Sequence, residues 1–125
     1  MKLLVTGGAG FIGSNFVRRT LAMKPDVEIT VLDALTYAGR LSNLDGLEGK
    51  YEFVQGNVCD ASVVDPLVSK ADVVVHFAAE SHNDNSLKSP RPFIDTNVIG
   101  TFELIQASVK HGVRFHHVST DEVFG

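Results

Sequence analysis

A single cysteine, Cys59, stands in 125 residues, so no internal disulfide can form. Basic blocks are missing as well. Eleven Lys and Arg face fifteen Asp and Glu, for a formal net charge of -4. That balance gives no general attraction to nucleic acid or to an anionic membrane. The longest apolar runs are of strand length, far below the roughly 20 residues of a helical span. The opening "MKLLVTGG" shows no signal-peptide apolar segment followed by a cleavage site. Repeats and low-complexity segments are absent. Together these shortages point to a soluble cytoplasmic protein. Apolar residues are not scarce: at 44% they suffice for a real core, and the length suits one domain, 1–125.

The apolar pattern alternates between two periods. "KLLVT" (2–6) is a continuous apolar run ending in glycines, as a buried parallel strand would be. "FIGSNFVRRTLAM" (11–23) carries Phe11, Ile12, Phe16, Val17 and Leu21 at helical spacing and stops before Pro25. Strands are expected at 27–33, 51–56, 72–79 and 113–120. A helix is expected over 60–70, opened by Asp60 as N-cap, and another over 92–112 with Gly112 as its stop. The stretch 34–50 reads as loop with a short helical turn at Leu41 to Leu44. Strands that alternate with helices, and are themselves buried, imply a parallel sheet covered by helices. Right-handed crossovers then give a doubly wound α/β fold of the Rossmann type, five strands in the order 3-2-1-4-5.

Between the first strand and first helix lies "TGGAGFIG". Gly8, Gly10 and Gly13 fit G-x-G-x-x-G, whereas Gly7, Gly10 and Gly13 fit G-x-x-G-x-x-G. Either register lets the backbone approach a pyrophosphate at a helix N-terminus, where free N–H groups and the positive dipole end lie. Asp33 follows at the end of the next strand, where an acid would accept from the adenine ribose hydroxyls. Its carboxylate favours NAD over NADP, because it would repel a ribose phosphate. Arg40 lies near in sequence and works against that preference.

Other candidates sit after the later strands. Asn57 and Val58 either border an adenine or form a simple turn after Gly56. In "HFAAESHNDNS" (76–86), the small pair Ala78 and Ala79 lets a cofactor lie close to the backbone. Glu80, Ser81, His82 and Asp84 follow in a polar loop beside the switch point, as site residues or as solvated ones. No metal site is expected. His116 and His117 are adjacent on a strand and point to opposite faces, and His76 and His82 lack a third ligand at suitable spacing. "HVSTDEVFG" (117–125) ends a strand with a hydroxyl pair and two carboxylates. Thr120 can exchange hydrogen bonds with a substrate hydroxyl, and Asp121 and Glu122 can divide acid and base work. A helix cap or solvated turn is the competing reading.

"VTGGAGFIGSNFV", "LDALTYAG", "HFAAESHNDNS", "FIDTNVIGT" and "HVSTDEVFG" together resemble the N-terminal part of the dTDP-glucose 4,6-dehydratase family. That family sits within the extended short-chain dehydrogenases/reductases. The resemblance covers essentially the whole chain, and the Thr-Asp-Glu triplet is its most specific part. It implies NAD as cofactor and dTDP-glucose as substrate. The sugar C4 hydroxyl is oxidised, water is eliminated across C5 and C6, and hydride returns to C6, giving a 4-keto-6-deoxy sugar. It implies that Asp121 protonates the leaving C6 hydroxyl, that Glu122 takes the C5 proton and that Thr120 holds the C4 oxygen region. It also puts Phe11 and Ile12 by the pyrophosphate, Asp33, Ala34, Leu35 and Thr36 around the adenosine ribose, and Asn57 and Val58 beside the adenine. Phe77, Ala78, Ala79 and Glu80 line the dinucleotide, Ser81 reaches substrate and Thr96 reaches cofactor. Homodimers through two long helices per subunit are implied too.

Some positions depart from the family pattern. Asn57 stands where Asp is usual, Asn85 where Arg is common, and Phe124 where Tyr is frequent. The family's Tyr-x-x-x-Lys pair is absent: Tyr37 and Tyr51 have no Lys four residues on. The reading is therefore an N-terminal fragment that binds NAD but is inactive alone. A non-catalytic dinucleotide-binding module and a related nucleotide-sugar epimerase or dehydratase are the alternatives.

Overall fold

The computed structural model describes residues 1–35, 41–47, 49–77 and 99–118. Within them run β1 (Lys2–Thr6), α1 (Phe11–Met23), β2 (Glu28–Asp33), a 3-10 turn (Leu41–Leu44) and β3 (Glu52–Gln55). Then come α2 (Ala61–Ser69), β4 (Val73–His76), α3 (Thr101–His111) and β5 (Arg114–His117). The strands form one sheet in the order β3-β2-β1-β4-β5, every neighbouring pair parallel. This is the expected order.

The sheet separates two apolar layers, and the two-residue period of β1 shows why. Leu3 and Val5 turn to one side, where Val17 of α1 and Leu44 and Leu47 after β2 join them. Leu4 turns to the other, with Val64 and Val68 of α2 and Leu104 and Ala107 of α3. A central strand flanked on both faces must be apolar throughout, which explains the unbroken run "LLV". The edge strands β3 and β5 are half-buried or exposed along their length.

Helix ends follow their local chemistry. The Asp60 side chain accepts the Ser62 N–H, as an N-cap should. Gly112 closes α3 in the left-handed conformation at φ 67°. The fifth strand is shorter than expected, and α3 begins after a wider turn at 99–100. Residues 92–98 of the expected long helix lie outside the described residues.

Candidate functional site

Backbone hydrogen bonds carry the sheet past its strand ends. Gly7 N–H donates to Leu32 O (2.8 Å), Gly56 to Asp33 O (3.1 Å), Phe77 to Thr6 O (2.7 Å) and Val118 to His76 O (3.2 Å). They align Gly56, Asp33, Gly7, Phe77 and Val118 along the carboxyl edge. β1 and β4 are neighbours although the chain visits β2 and β3 between them. The direction of winding therefore reverses at Gly7 and Phe77, the place where such sheets bind ligands.

The glycines divide their work. Gly7 has φ 74° and accepts the Gly10 N–H on its carbonyl at 3.1 Å, closing a tight turn that a side chain would strain. A Cβ on Gly8 would lie 2.7 Å from Val31 Cγ1, so this bare position is needed for packing onto β2. A Cβ on Gly13 would overlap the Gly7 carbonyl oxygen, so α1 rests directly on the loop. Both glycine registers seen in the sequence are thus in use. Gly10 is the N-cap of α1, with no side-chain cap and no acidic residue in the first turn. The positive helix end and its free N–H groups are left for an anion. Ile12, expected on the apolar face of α1, is instead 59% exposed at this end.

Asp33 is buried at the end of β2. Its Oδ2 accepts the Ala9 N–H at 3.0 Å and its Oδ1 accepts the Leu35 N–H at 2.8 Å. Leu35 takes a left-handed φ of 57°, uncommon for a branched residue, and packs against the α1-side core. A carboxylate has about four lone-pair positions, so Asp33 keeps capacity for ribose hydroxyls. Ala34 is half-buried beside it. At the end of β3, Asn57 Oδ1 accepts the Cys59 N–H at 2.9 Å, so its side chain makes the local turn. Val58 is buried in the α2-side core, where Gly100 rests against it. Phe77 packs against Phe16 of α1, the rings tilted by 47° with centroids 5.4 Å apart. Thr36, Ala78, Ala79, Glu80, Ser81, Thr96, Thr120, Asp121 and Glu122 lie outside the described residues.

Ligand spacing in the sequence gave His76 no metal-binding role. It is fully buried. Its Nδ1 meets Thr6 Oγ1 at 2.6 Å and its Nε2 meets Thr101 Oγ1 at 3.2 Å, tying β1, β4 and α3 together. Hydroxyls both donate and accept, so either neutral tautomer is satisfied. Burial, with a smaller contribution from His117, lowers its pKa from 6.5 to about 4. Between those values the unfolded chain binds the proton and the folded chain does not. The His76 contribution to stability is therefore full above pH 6.5 and is lost as pH drops toward 4, by roughly 3 kcal/mol at most. His76→Gln is expected to flatten that slope. Urea unfolding at pH 7.5 and pH 4.5 on both proteins checks it, and an equal slope in the variant counts against the assignment.

A cavity of about 460 Å³ lined by Lys2, Glu28, Glu52 and Lys70 lies at the opposite, amino edge of the sheet. Among the described residues no three His, Cys, Asp or Glu side chains are gathered to hold a metal.

Residues 4–125 match the family described as GDP-mannose 4,6 dehydratase. The chain belongs to that family. This 4,6 dehydratase family member is 59% identical, over all 125 residues, to dTDP-glucose 4,6-dehydratase of Mycobacterium tuberculosis, and it covers 38% of that relative. A dTDP-glucose 4,6-dehydratase double mutant from Streptomyces venezuelae, solved with NAD bound, superposes with a TM-score of 0.91 at 50% identity. All of this chain and 41% of that one are covered. UDP-glucose 4-epimerase of Thermotoga maritima gives a TM-score of 0.85 at 32% identity, over 96% of this chain and 38% of the other. The fold is common to dehydratases and epimerases. The chain spans about two fifths of the dehydratases it matches.

Proposed function

We propose that residues 1–125 form the NAD-binding domain of a nucleotide-sugar 4,6-dehydratase acting on dTDP-glucose, and that alone they bind NAD without completing the reaction. The observation that carries this reading is the continuous carboxyl-edge arrangement of Gly7, the uncapped start of α1 and buried Asp33. Family membership over residues 4–125 supports it. A dinucleotide fits the residues: backbone N–H groups of Phe11, Ile12 and Gly13 suit the pyrophosphate, and Asp33 suits the ribose. Ala34, Leu35, Thr36, Asn57 and Val58 complete the adenosine end in this reading, and Phe77, Ala78, Ala79, Glu80 and Thr96 the rest. When bound, NAD supplies a hydride acceptor that later returns the hydride.

The chain's own residues then manage protons. Thr120 hydrogen-bonds the C4 oxygen, Ser81 orients the sugar, Glu122 removes the C5 proton and Asp121 protonates the C6 hydroxyl as it leaves. The Tyr-x-x-x-Lys pair that would deprotonate the C4 hydroxyl is not among these 125 residues. A homodimer fits the stripe on α3, where Phe102 (59%), Ile105 (45%) and Val109 (78%) are exposed. A reduced thiol at Cys59 suits a cytoplasmic setting.

Calorimetric titration tests the reading. NAD is expected to bind at least about tenfold more tightly than NADP, a difference of about 1.4 kcal/mol. Incubation with dTDP-glucose and NAD should give no 4-keto sugar, and sedimentation should show association. Equal affinity for NADP, or no binding, sinks the cofactor assignment. Product formation sinks the claim that the chain is inactive alone, and a monomer at all concentrations sinks the dimer. The same sugar turned to its C4 epimer would favour the epimerase reading.

A further inference from the structure

The loop that would meet the pyrophosphate is held from outside by a segment that sequence periodicity left as a weak turn. Asn43, in the 3-10 turn, donates from Nδ2 to the carbonyl oxygen of Ala9 at 2.8 Å. Only the amide nitrogen can make that bond, so the orientation of the Asn43 side chain is fixed by chemistry. The turn itself is fastened to α1. Arg18 Nη2 donates to the carbonyls of Asn43 (2.9 Å) and Asp45 (3.1 Å). Leu44 and Leu47 anchor it in the core that includes Ala9 and Val17.

Ala9 is consequently gripped from two directions. Asp33 takes its N–H, and Asn43 takes its C=O. The peptide between Ala9 and Gly10 is fixed at both ends, because its N–H is bonded to Gly7 O at 3.1 Å. This matters for charge. Glycines flank Ala9 on both sides, and glycine admits a wide range of backbone angles. A rotated peptide there would turn a carbonyl oxygen, with its partial negative charge, toward the place an anion must occupy.

We propose that Asn43 is a positioning residue for the dinucleotide site: it touches no ligand and holds the Ala9 carbonyl away from the pyrophosphate. The inference rests on the cofactor reading above. Its consequence is selective. Ligands that carry the pyrophosphate depend on Asn43, and the adenosine end, held by Asp33, does not.

The test uses isotope-labelled chain, with Asn43→Asp as the near-isosteric variant that sets an acceptor against the carbonyl. Asn43→Ala removes the donor without adding charge, and Ser42→Ala at an exposed neighbour is the control. Arg18→Met, which leaves the Asn43 side chain intact, should give the same effect more weakly. ADP-ribose and adenosine are titrated by NMR. Asn43→Asp is expected to weaken ADP-ribose about tenfold, equivalent to about 1.4 kcal/mol, with adenosine changed less than about twofold. Amide exchange at Ala9 and Gly10 in the ligand-free chain should accelerate in the same variants. Equal losses for both ligands, or an unchanged ADP-ribose affinity, overturn the proposal. If the parent chain binds neither ligand, the cofactor reading fails, and the exchange rates still decide whether Asn43 braces the loop. Unchanged exchange in Asn43→Asp and Asn43→Ala overturns the brace.

Discussion

Gly13→Ala is expected to cost about 3 kcal/mol of stability and to abolish NAD binding by the chain. The added methyl would overlap the carbonyl oxygen of Gly7 and sit 3.0 Å from the Cα of Gly8. Both neighbours are backbone, so no flexible side chain can swing aside. α1 must move outward, and its first turn leaves the loop it rests on. In an exposed helix the same change would gain about 1 kcal/mol, because alanine favours helix over glycine. The sign of the result therefore separates close packing from propensity. Gly8→Ala should be milder, since its new methyl meets the side chains of Val31 and Val5. Asn15→Ala, exposed on the same helix, should be neutral or slightly stabilising. Denaturant unfolding and NAD titration of the three variants read this directly. A stable, NAD-binding Gly13→Ala protein would refute the contact.

What could be read in the sequence was what depends on local pattern. Unbroken apolar strands, helical spacing in 11–23 and right-handed crossovers led to the observed sheet order. The Asp60 cap and the Gly112 stop were equally visible, because each acts within a few residues of itself. Contacts across long separations were not visible. His76 meets Thr6 seventy residues away, and Asn43 meets Ala9 across thirty-four. No periodicity marks either residue. The glycine loop falls between these cases: its presence was plain, yet the separate tasks of Gly7, Gly8 and Gly13 required the packing around them. Ile12 shows the limit of helical spacing, since a residue at the first turn can join the pattern and still face solvent.

In a polypeptide that continues to the Tyr-x-x-x-Lys pair, Asp121→Asn and Glu122→Gln are each expected to lower product formation by about 10²- to 10⁴-fold. They should stall at different points. Val118, the last described residue, is bonded to His76 O at the carboxyl edge that also carries Gly7 and Asp33. Chain geometry keeps Asp121 within about 11 Å of Val118 and Glu122 within about 14 Å. Both acids can therefore reach a sugar held at that edge. Elimination needs one group to accept the C5 proton and another to give a proton to the departing C6 oxygen. The proposed roles require the pair to hold opposite protonation states at one pH, and burial or a neighbouring carboxylate is the physical means of raising the pKa of one acid above the other. Without the base, the C5 proton should not exchange with deuterated solvent. Without the acid, exchange should continue while water is retained. Deuterium incorporation at C5, read by NMR in each variant, distinguishes the roles. Identical exchange in both would mean that the two carboxylates do not divide the work, and near-normal turnover in both would return them to a polar loop at the end of a strand.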